Sequence, residues 1–496
     1  MPAYSQHLAS RRPHLCRGLA AGLLFTAALV APRLAAAEVV LPHILSDHMV
    51  VQAGKPLVIW GKADPGERIL IEIAGHKARV AAGADGRWRA TLKPLTAGAS
   101  PLTLKVKGSA NTLEVKDVLV GETWLASGQS NMRMGLTETG KQPVFGAEDV
   151  YALPARPQIR LFKVARQKAS APAEDLEGRW EICDSQALKN SQFSAAAYFF
   201  GRRLQDELKT PVGLIDSTWG GTRIEVWTPP AAYAPFPALE RFAKAAPGAK
   251  VDGSPLAGQY NAMIAPLTPY RLAGVIWYQG ESNVTEPLAQ ADYADKMRAL
   301  IGGWRSAFDQ DLPFYYVQIA PHLYHVARST QVASAQAAAE LREAQEQVLD
   351  TPGTGMVITT DLVDDLFDIH PRNKRDIGER LANIALTRTY GRAGLGHGGP
   401  RFKSLTIEGD RAVLSFEDLG GGLKSSDGKP LSWFALAGAD GVFHAGQAVI
   451  EADKVIVTSS QVSAPVQVRF GWDEAARPNL VSQQGLPAWP FRTARP

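Results

Sequence analysis

Four short clusters hold side chains suited to acyl transfer. The first is Ser127-Gly-Gln-Ser130-Asn-Met132, where a serine follows an apolar run on a turn eased by Gly128. A serine so placed projects its hydroxyl from the end of a parallel strand into a cleft, although the pattern is not the G-x-S-x-G elbow and also suits an ordinary turn. The second is Ser217-Thr-Trp219-Gly220-Gly221-Thr222, whose adjacent glycines let backbone N–H groups approach a ligand or simply form a loop. The third is Tyr278-Gln279-Gly280-Glu281-Ser282-Asn283. Asn283 is suited to donate to a developing oxyanion, to cap a loop, or to carry a glycan in the sequon Asn283-Val-Thr285. A glycan on a catalytic asparagine would block the site, so the catalytic reading favours a bacterial exported protein. The fourth is Asp361-Leu-Val-Asp364-Asp365-Leu-Phe-Asp368-Ile-His370-Pro371. A histidine beside a carboxylate is the general-base half of a serine-nucleophile mechanism. The same acidic loop could instead bind calcium, but it lacks the EF-hand spacing and closing glutamate.

The elements that must position these clusters alternate. Val118–Val120, Val212–Ile215, Gly274–Trp277, Phe314–Val317 and Met356–Ile358 are short apolar runs that predict buried strands. Helical patterns lie between them, including Ala195–Leu208 and Ala333–Val348. Such alternation predicts an α/β domain, a parallel sheet covered by helices on both faces, with its site beyond the carboxyl ends of the strands. The spacing of Ile377, Leu381, Ile384 and Ala385 puts His370 on a loop at a helix start, with Pro371 in the first turn. Strand-like runs punctuated by turn residues predict β-rich flanks. Residues 38–116 are expected to form a β-sandwich, 117–396 the catalytic domain, and 397–496 a C-terminal β-rich domain after the glycine-rich linker Gly394–Pro400.

The 496 residues carry a net charge of +4, but four arginines fall within residues 1–37, where there is no acid; setting these aside leaves 49 basic against 49 acidic residues. That balance gives no footprint for nucleic acid or an anionic membrane. The apolar stretch Gly18–Ala31, preceded by basic residues and followed by Ala35-Ala36-Ala37, predicts an export signal over 1–37. Ser10-Arg11-Arg12 leaves both general and twin-arginine export open. Periplasmic or secreted location follows, with no membrane segment after signal removal. Cys183 is then the one cysteine left, which excludes an intrachain disulfide and a cysteine metal site.

The clusters fall in one recognisable order. GETWLASGQSNM (121–132), PVGLIDSTWGGTRIEVW (211–227), YNAMIAPL (260–267), WYQGESN (277–283), LREAQ (341–345), DIHPRNK (368–374), RFGW (469–472) and GLPAWPFRT (485–493) resemble the sialate O-acetylesterase family. That family is a branch of the SGNH/GDSL-type hydrolases that also holds acetylesterases of plant cell-wall polysaccharides. The resemblance implies an SGNH-like three-layer α/β fold and an esterase that removes O-acetyl groups from a sugar or glycan without metal or other cofactor. It implies Ser130 as nucleophile, His370 as general base and Asp368 as its orienting carboxylate, with Asp361, Asp364 and Asp365 as rivals. The N–H of Ser130, Gly221 (or Gly220) and Asn283 would form the oxyanion hole. Gln129, Trp219, Arg223, Gln279 and Glu281 would face the substrate. Trp124, Trp219, Trp227 and Tyr278 are available either to stack on a sugar or to fill the core. Cell-wall xyloglucan or xylan is an alternative substrate to sialate. Lipase or thioesterase chemistry and a non-catalytic carbohydrate-binding role are alternative functions.

Overall fold

The structure, a computed structural model, describes residues 38–138, 142–285, 289–327, 332, 334–396 and 398–494. The expected export signal at 1–37, residue 333 of the helical stretch and residue 397 of the linker lie outside the described residues.

Seven strands form the platform: β1 (Thr112–Gly128), β2 (Arg156–Lys163), β3 (Trp180–Cys183), β4 (Val212–Thr218), β5 (Gly274–Tyr278), β6 (Phe314–Val317) and β7 (Thr354–Val357), in spatial order β7-β6-β5-β1-β4-β2-β3. All neighbours in this row are parallel except β3, which joins the edge antiparallel to β2. The sequence runs expected as strands are present: Phe314–Val317 with the expected bounds, Val118–Val120, Val212–Ile215 and Gly274–Trp277 inside longer strands, and Met356–Ile358 shifted to Thr354–Val357. β2 was not among them. Its pattern is broken by Pro157 and Arg160, and Arg160 is buried only because its guanidinium meets Asp117 at 2.6 Å.

Five helices are needed to follow the site: α1 (Ser130–Arg133), α2 (Ala195–Leu208), α3 (Ala289–Phe308), α4 (Ala337–Gln347) and α5 (Lys374–Arg388). Side chains alternate across a strand, so each inner strand serves two cores. Trp124, Leu214, Ile276, Tyr315 and Val357 join Phe200, Leu204, Ile377 and Leu381 of α2 and α5. Leu125, Ile215, Val275, Tyr316 and Met356 join Met297, Leu300, Trp304 and Leu341 of α3 and α4. Burial on both faces explains why these strands read as continuous apolar runs. Each fully buried large side chain contributes about 1.5–3 kcal/mol.

β1 is long enough to serve two layers. Its first half pairs antiparallel with Gly98–Lys107, which leads through Arg68–Ile73 to His76–Ala81, while its second half is the centre of the parallel platform. Beyond residue 400, Arg401–Glu408, Arg411–Glu417, Lys454–Thr458 and Gln447–Glu451 form one antiparallel sheet. Phe443–Ala445, Phe434–Ala437, Gln467–Phe470 and Phe491–Arg492 form another. They enclose a separate core that includes Leu414, Leu436, Val455 and Val468. Among the described residues no helix is long and apolar enough to cross a membrane.

Candidate active site

The carboxyl ends of β1, β4 and β5 are laced together, and this lacing aims Ser130. Gly128 ends β1 with φ of +131°, and a Cβ there would lie 2.2 Å from the Tyr278 carbonyl oxygen. Only glycine allows β5 so close at that backbone angle. The Gln129 N–H donates to the Tyr278 carbonyl at 3.0 Å, and the Trp219 N–H donates to the Gly128 carbonyl at 3.1 Å. The chain then turns into α1, with Ser130 as its first residue.

His370 lies on the loop between β7 and α5. The helix starts later than expected, at Lys374, because Asn373 caps it by accepting from the Asp376 N–H at 3.1 Å. Pro371 therefore sits ahead of the cap instead of in the first turn. Asp368 Oδ1 accepts from the His370 backbone N–H at 2.9 Å and lies 3.1 Å from His370 Nδ1. Its rivals are turned elsewhere: Asp361 to Arg380, Asp364 to Arg372, and Asp365 to the Phe367 N–H. Among the described residues no three His, Cys, Asp or Glu side chains are grouped as a metal site requires.

The two halves meet. Asn131, the residue after Ser130, donates from Nδ2 to the carbonyl of Ile369, the residue before His370, at 3.0 Å. Ser130 and His370 accordingly form walls of one cleft of about 340 Å³. Gly220 and Gly221 form another wall. A Cβ on Gly220 would lie 3.3 Å from Ser130 Cβ, so Gly220 sits directly against the serine. Gly221 takes the left-handed φ of +70° with nothing near its missing Cβ.

The other expected site residues divide. Gln129 and Glu281 border the cleft, yet both are almost wholly buried and committed to protein partners. Gln129 Oε1 accepts from the Ser282 N–H at 3.1 Å and from Gln279 Nε2 at 3.2 Å. Glu281 Oε1 accepts from Asn131 Nδ2. Burial pushes the Glu281 carboxyl above the ordinary carboxylate range, and the Asn131 hydrogen bond opposes that shift.

Gln279 and Asn283 are wholly buried and neither borders the cleft. Asn283 Nδ2 donates to Glu225 at 3.1 Å, while its Oδ1 accepts from the Ile224 N–H at 3.1 Å and from Gln279 Nε2 at 2.7 Å. Glu225 is a buried carboxylate, also paired with Lys296 Nζ at 2.7 Å. A buried charge left without donors is costly, so the asparagine amide is turned to it.

Arg223 is likewise directed to Asp252, at 2.7 Å, and does not border the cleft. Trp219 is partly buried beneath the cations of Lys168 and Arg166, at 5.1 and 5.9 Å from its ring. Trp124, Trp227 and Tyr278 are core residues with no exposed face for a sugar.

Residues that the sequence reading missed complete the walls. Arg133, Arg166 and Tyr324 border the cleft, and Lys374 Nζ donates to Asn131 Oδ1 at 2.6 Å. Lys374 and Asn131 both lie inside the quoted motifs, so a signal existed for them. Arg166 and Tyr324 sit on segments without pattern. A larger groove of about 680 Å³ runs between Trp60, Arg87 and Glu174 and is lined by no residue of the four clusters. Its Lys62 and Arg87 are both paired with Glu174, so size alone does not mark the chemistry.

The arrangement supplies a hydroxyl, an imidazole oriented by a carboxylate, and backbone N–H groups at a glycine turn, the parts needed for acyl transfer. A family model described as "Carbohydrate esterase, sialic acid-specific acetylesterase" matches residues 120–387. The sialate O-acetylesterase of Rattus norvegicus is 30% identical over 434 residues, 75% of this chain and 77% of that one. The sialate O-acetylesterase of Homo sapiens is 30% identical over 436 residues, 80% of each chain. The crystal structure of a carbohydrate acetylesterase from Xanthomonas citri matches with a TM-score of 0.82 and 35% identity, covering 92% of this chain and 100% of that one.

Proposed function

Because the chain belongs to the sialic acid-specific acetylesterase family of carbohydrate esterases, and is with it a carboxylic ester hydrolase, we propose that it removes O-acetyl groups from an anionic, sialate-type sugar through a serine acetyl-enzyme. The observation that carries the mechanism is the shared cleft of Ser130 and His370, joined behind by the Asn131–Ile369 hydrogen bond.

His370 takes the proton of Ser130 as the serine oxygen attacks the acetyl carbonyl carbon. Negative charge develops on the carbonyl oxygen, where the N–H of Ser130 and those of the Gly220–Gly221 turn are its donors. The C–O bond to the sugar then breaks, the alkoxide leaves with the proton held by His370, and an acetyl group remains on Ser130. Water, deprotonated by His370, repeats the sequence and releases acetate. Fixed donors of this kind contribute about 2.7–4 kcal/mol each where they have been removed singly. Asp368 holds the imidazole in the tautomer that leaves Nε2 able to accept.

Arg166 supports an anionic substrate, because its side chain borders the cleft, whereas Arg133 on the same wall is paired with Glu138 and the bordering carboxylate, Glu281, is buried and held by Asn131. Arginine suits planar carboxylate recognition. The apolar, basic-flanked stretch within residues 1–37 supports export of the enzyme to the periplasm or beyond.

The test is acetate release from O-acetylated sialic acids, xyloglucan and xylan, with Ser130→Ala as control. The expected result is turnover of the acetylated sialic acids and trapping of an acetyl group on the peptide that contains Ser130. Undiminished turnover by Ser130→Ala would end the serine mechanism, and a preference for the neutral polysaccharides would end the anionic-sugar reading.

A further inference from the structure

We infer that Asn131 is a positioning residue, a clamp that holds the general-base loop in register with the nucleophile turn; this rests on the Ser130–His370 reading above. Its side chain is wholly buried and makes three hydrogen bonds, one to the loop after β5 and two to the stretch Ile369–Lys374. Nδ2 donates to Glu281 Oε1, on the loop after β5, and at 3.0 Å to the Ile369 carbonyl, on the loop before α5. Oδ1 accepts from Lys374 Nζ, at the first residue of α5, at 2.6 Å.

The chemistry of the partners dictates the orientation. A flipped amide would set its oxygen against a carboxylate and a carbonyl, and its NH2 against an ammonium group. Asparagine also fits the charges, since its positive end meets Glu281 and its negative end meets Lys374. The tethered carbonyl belongs to the residue immediately before His370, and the amide that holds it belongs to the residue immediately after Ser130. Ile369 also packs its side chain against the core shared with α3 and α4. Ile369, the residue before His370, is thus held both through its side chain by packing and through its carbonyl by the clamp. A displacement of about 1 Å between reacting groups costs on the order of 10² in rate.

Two variants of the full chain separate this positioning from mere support. Asn131→Asp keeps the shape and the Lys374 contact, but sets oxygen against Glu281 and the Ile369 carbonyl. Adding Glu281→Gln supplies a new donor to the carboxylate introduced at position 131, which repairs the contact with residue 281 and leaves only the Ile369 tether broken. The clamp predicts that the double variant regains most of the wild-type Tm, while kcat stays about 10²-fold low with KM nearly unchanged. Labelling of Ser130 by a fluorophosphonate, which needs no sugar, is expected to slow by a similar factor. A purely structural role predicts that Tm, kcat and labelling rate recover together, and that outcome overturns the proposal. Should the double variant remain unstable, Asn131→Ala is assayed at a temperature where circular dichroism shows it folded. Wild-type labelling there also overturns the clamp, as does failure of all three variants to fold. Ser130→Ala run in parallel reports on the serine reading itself: if it is labelled and active like wild type, that reading fails independently of the clamp.

Discussion

Replacing Asp368 by Asn tests the acid–base pair with little disturbance of the loop. The amide oxygen of Asn can still accept from the His370 backbone N–H, now held at 2.9 Å, so the turn survives. What disappears is the negative charge 3.1 Å from His370 Nδ1, which stabilises the imidazolium formed as Ser130 attacks. A hydrogen bond to a charged group contributes about 1.5–3 kcal/mol, which corresponds to roughly 10- to 150-fold in rate. A buried triad aspartate sets the upper bound near 10⁴. Asp368 is 37% exposed, so water screens its charge, and the loss is expected at the lower end, about 10- to 50-fold. The assay is kcat/KM on an acetyl ester, with Tm measured alongside; KM and Tm are expected to hold. The reasoning is refuted if Asp368→Asn stays within about threefold of wild type while Asp361→Asn, Asp364→Asn or Asp365→Asn falls by an order of magnitude.

Two further outcomes are expected. Gly128→Ala forces a Cβ to within 2.2 Å of the Tyr278 carbonyl oxygen at a φ of +131°. Backbone strain and overpacking of about 1–3 kcal/mol each should lower the stability read by urea unfolding and displace Ser130; unchanged stability and kcat would show that β1 and β5 are not so tightly apposed. Glu281→Gln should change how stability depends on pH. Burial raises the native carboxyl above its unbound value of 4.5, so the native state holds its proton after the unfolded chain has lost it. This group's contribution is therefore fully present below 4.5 and is lost as pH rises through the native value, so the wild-type Tm should fall relative to Glu281→Gln across that window. Parallel Tm curves for the two proteins would contradict the burial argument.

Much of this was legible because the physics involved is local. The inner strands are apolar on both faces, so Val212–Ile215 and Phe314–Val317 stand out at once, whereas β2 is masked by an arginine that can be buried only beside Asp117. The Asp368–His370 contact spans two residues, so the motif nearly contains its own geometry. Asn283 is different. Its residue type suits an oxyanion hole, yet the buried carboxylate of Glu225 claims its amide, and no feature of Tyr278–Asn283 reveals that competitor. Gln279 is drawn inward by the same cluster.

By itself, then, the chain's order of residues determined the alternation of strands and helices, the serine and histidine set at loop positions, and the family these motifs resemble. Periodic burial and short-range turn chemistry are written into neighbouring positions. The tertiary structure alone decided which carboxylates face basic partners, which amides are turned to buried charges, and that Asn131 bridges segments 150 to 243 residues away. A hydrogen bond across such a separation depends on how whole elements pack, and buried charges choose among all the donors that the packing brings to them.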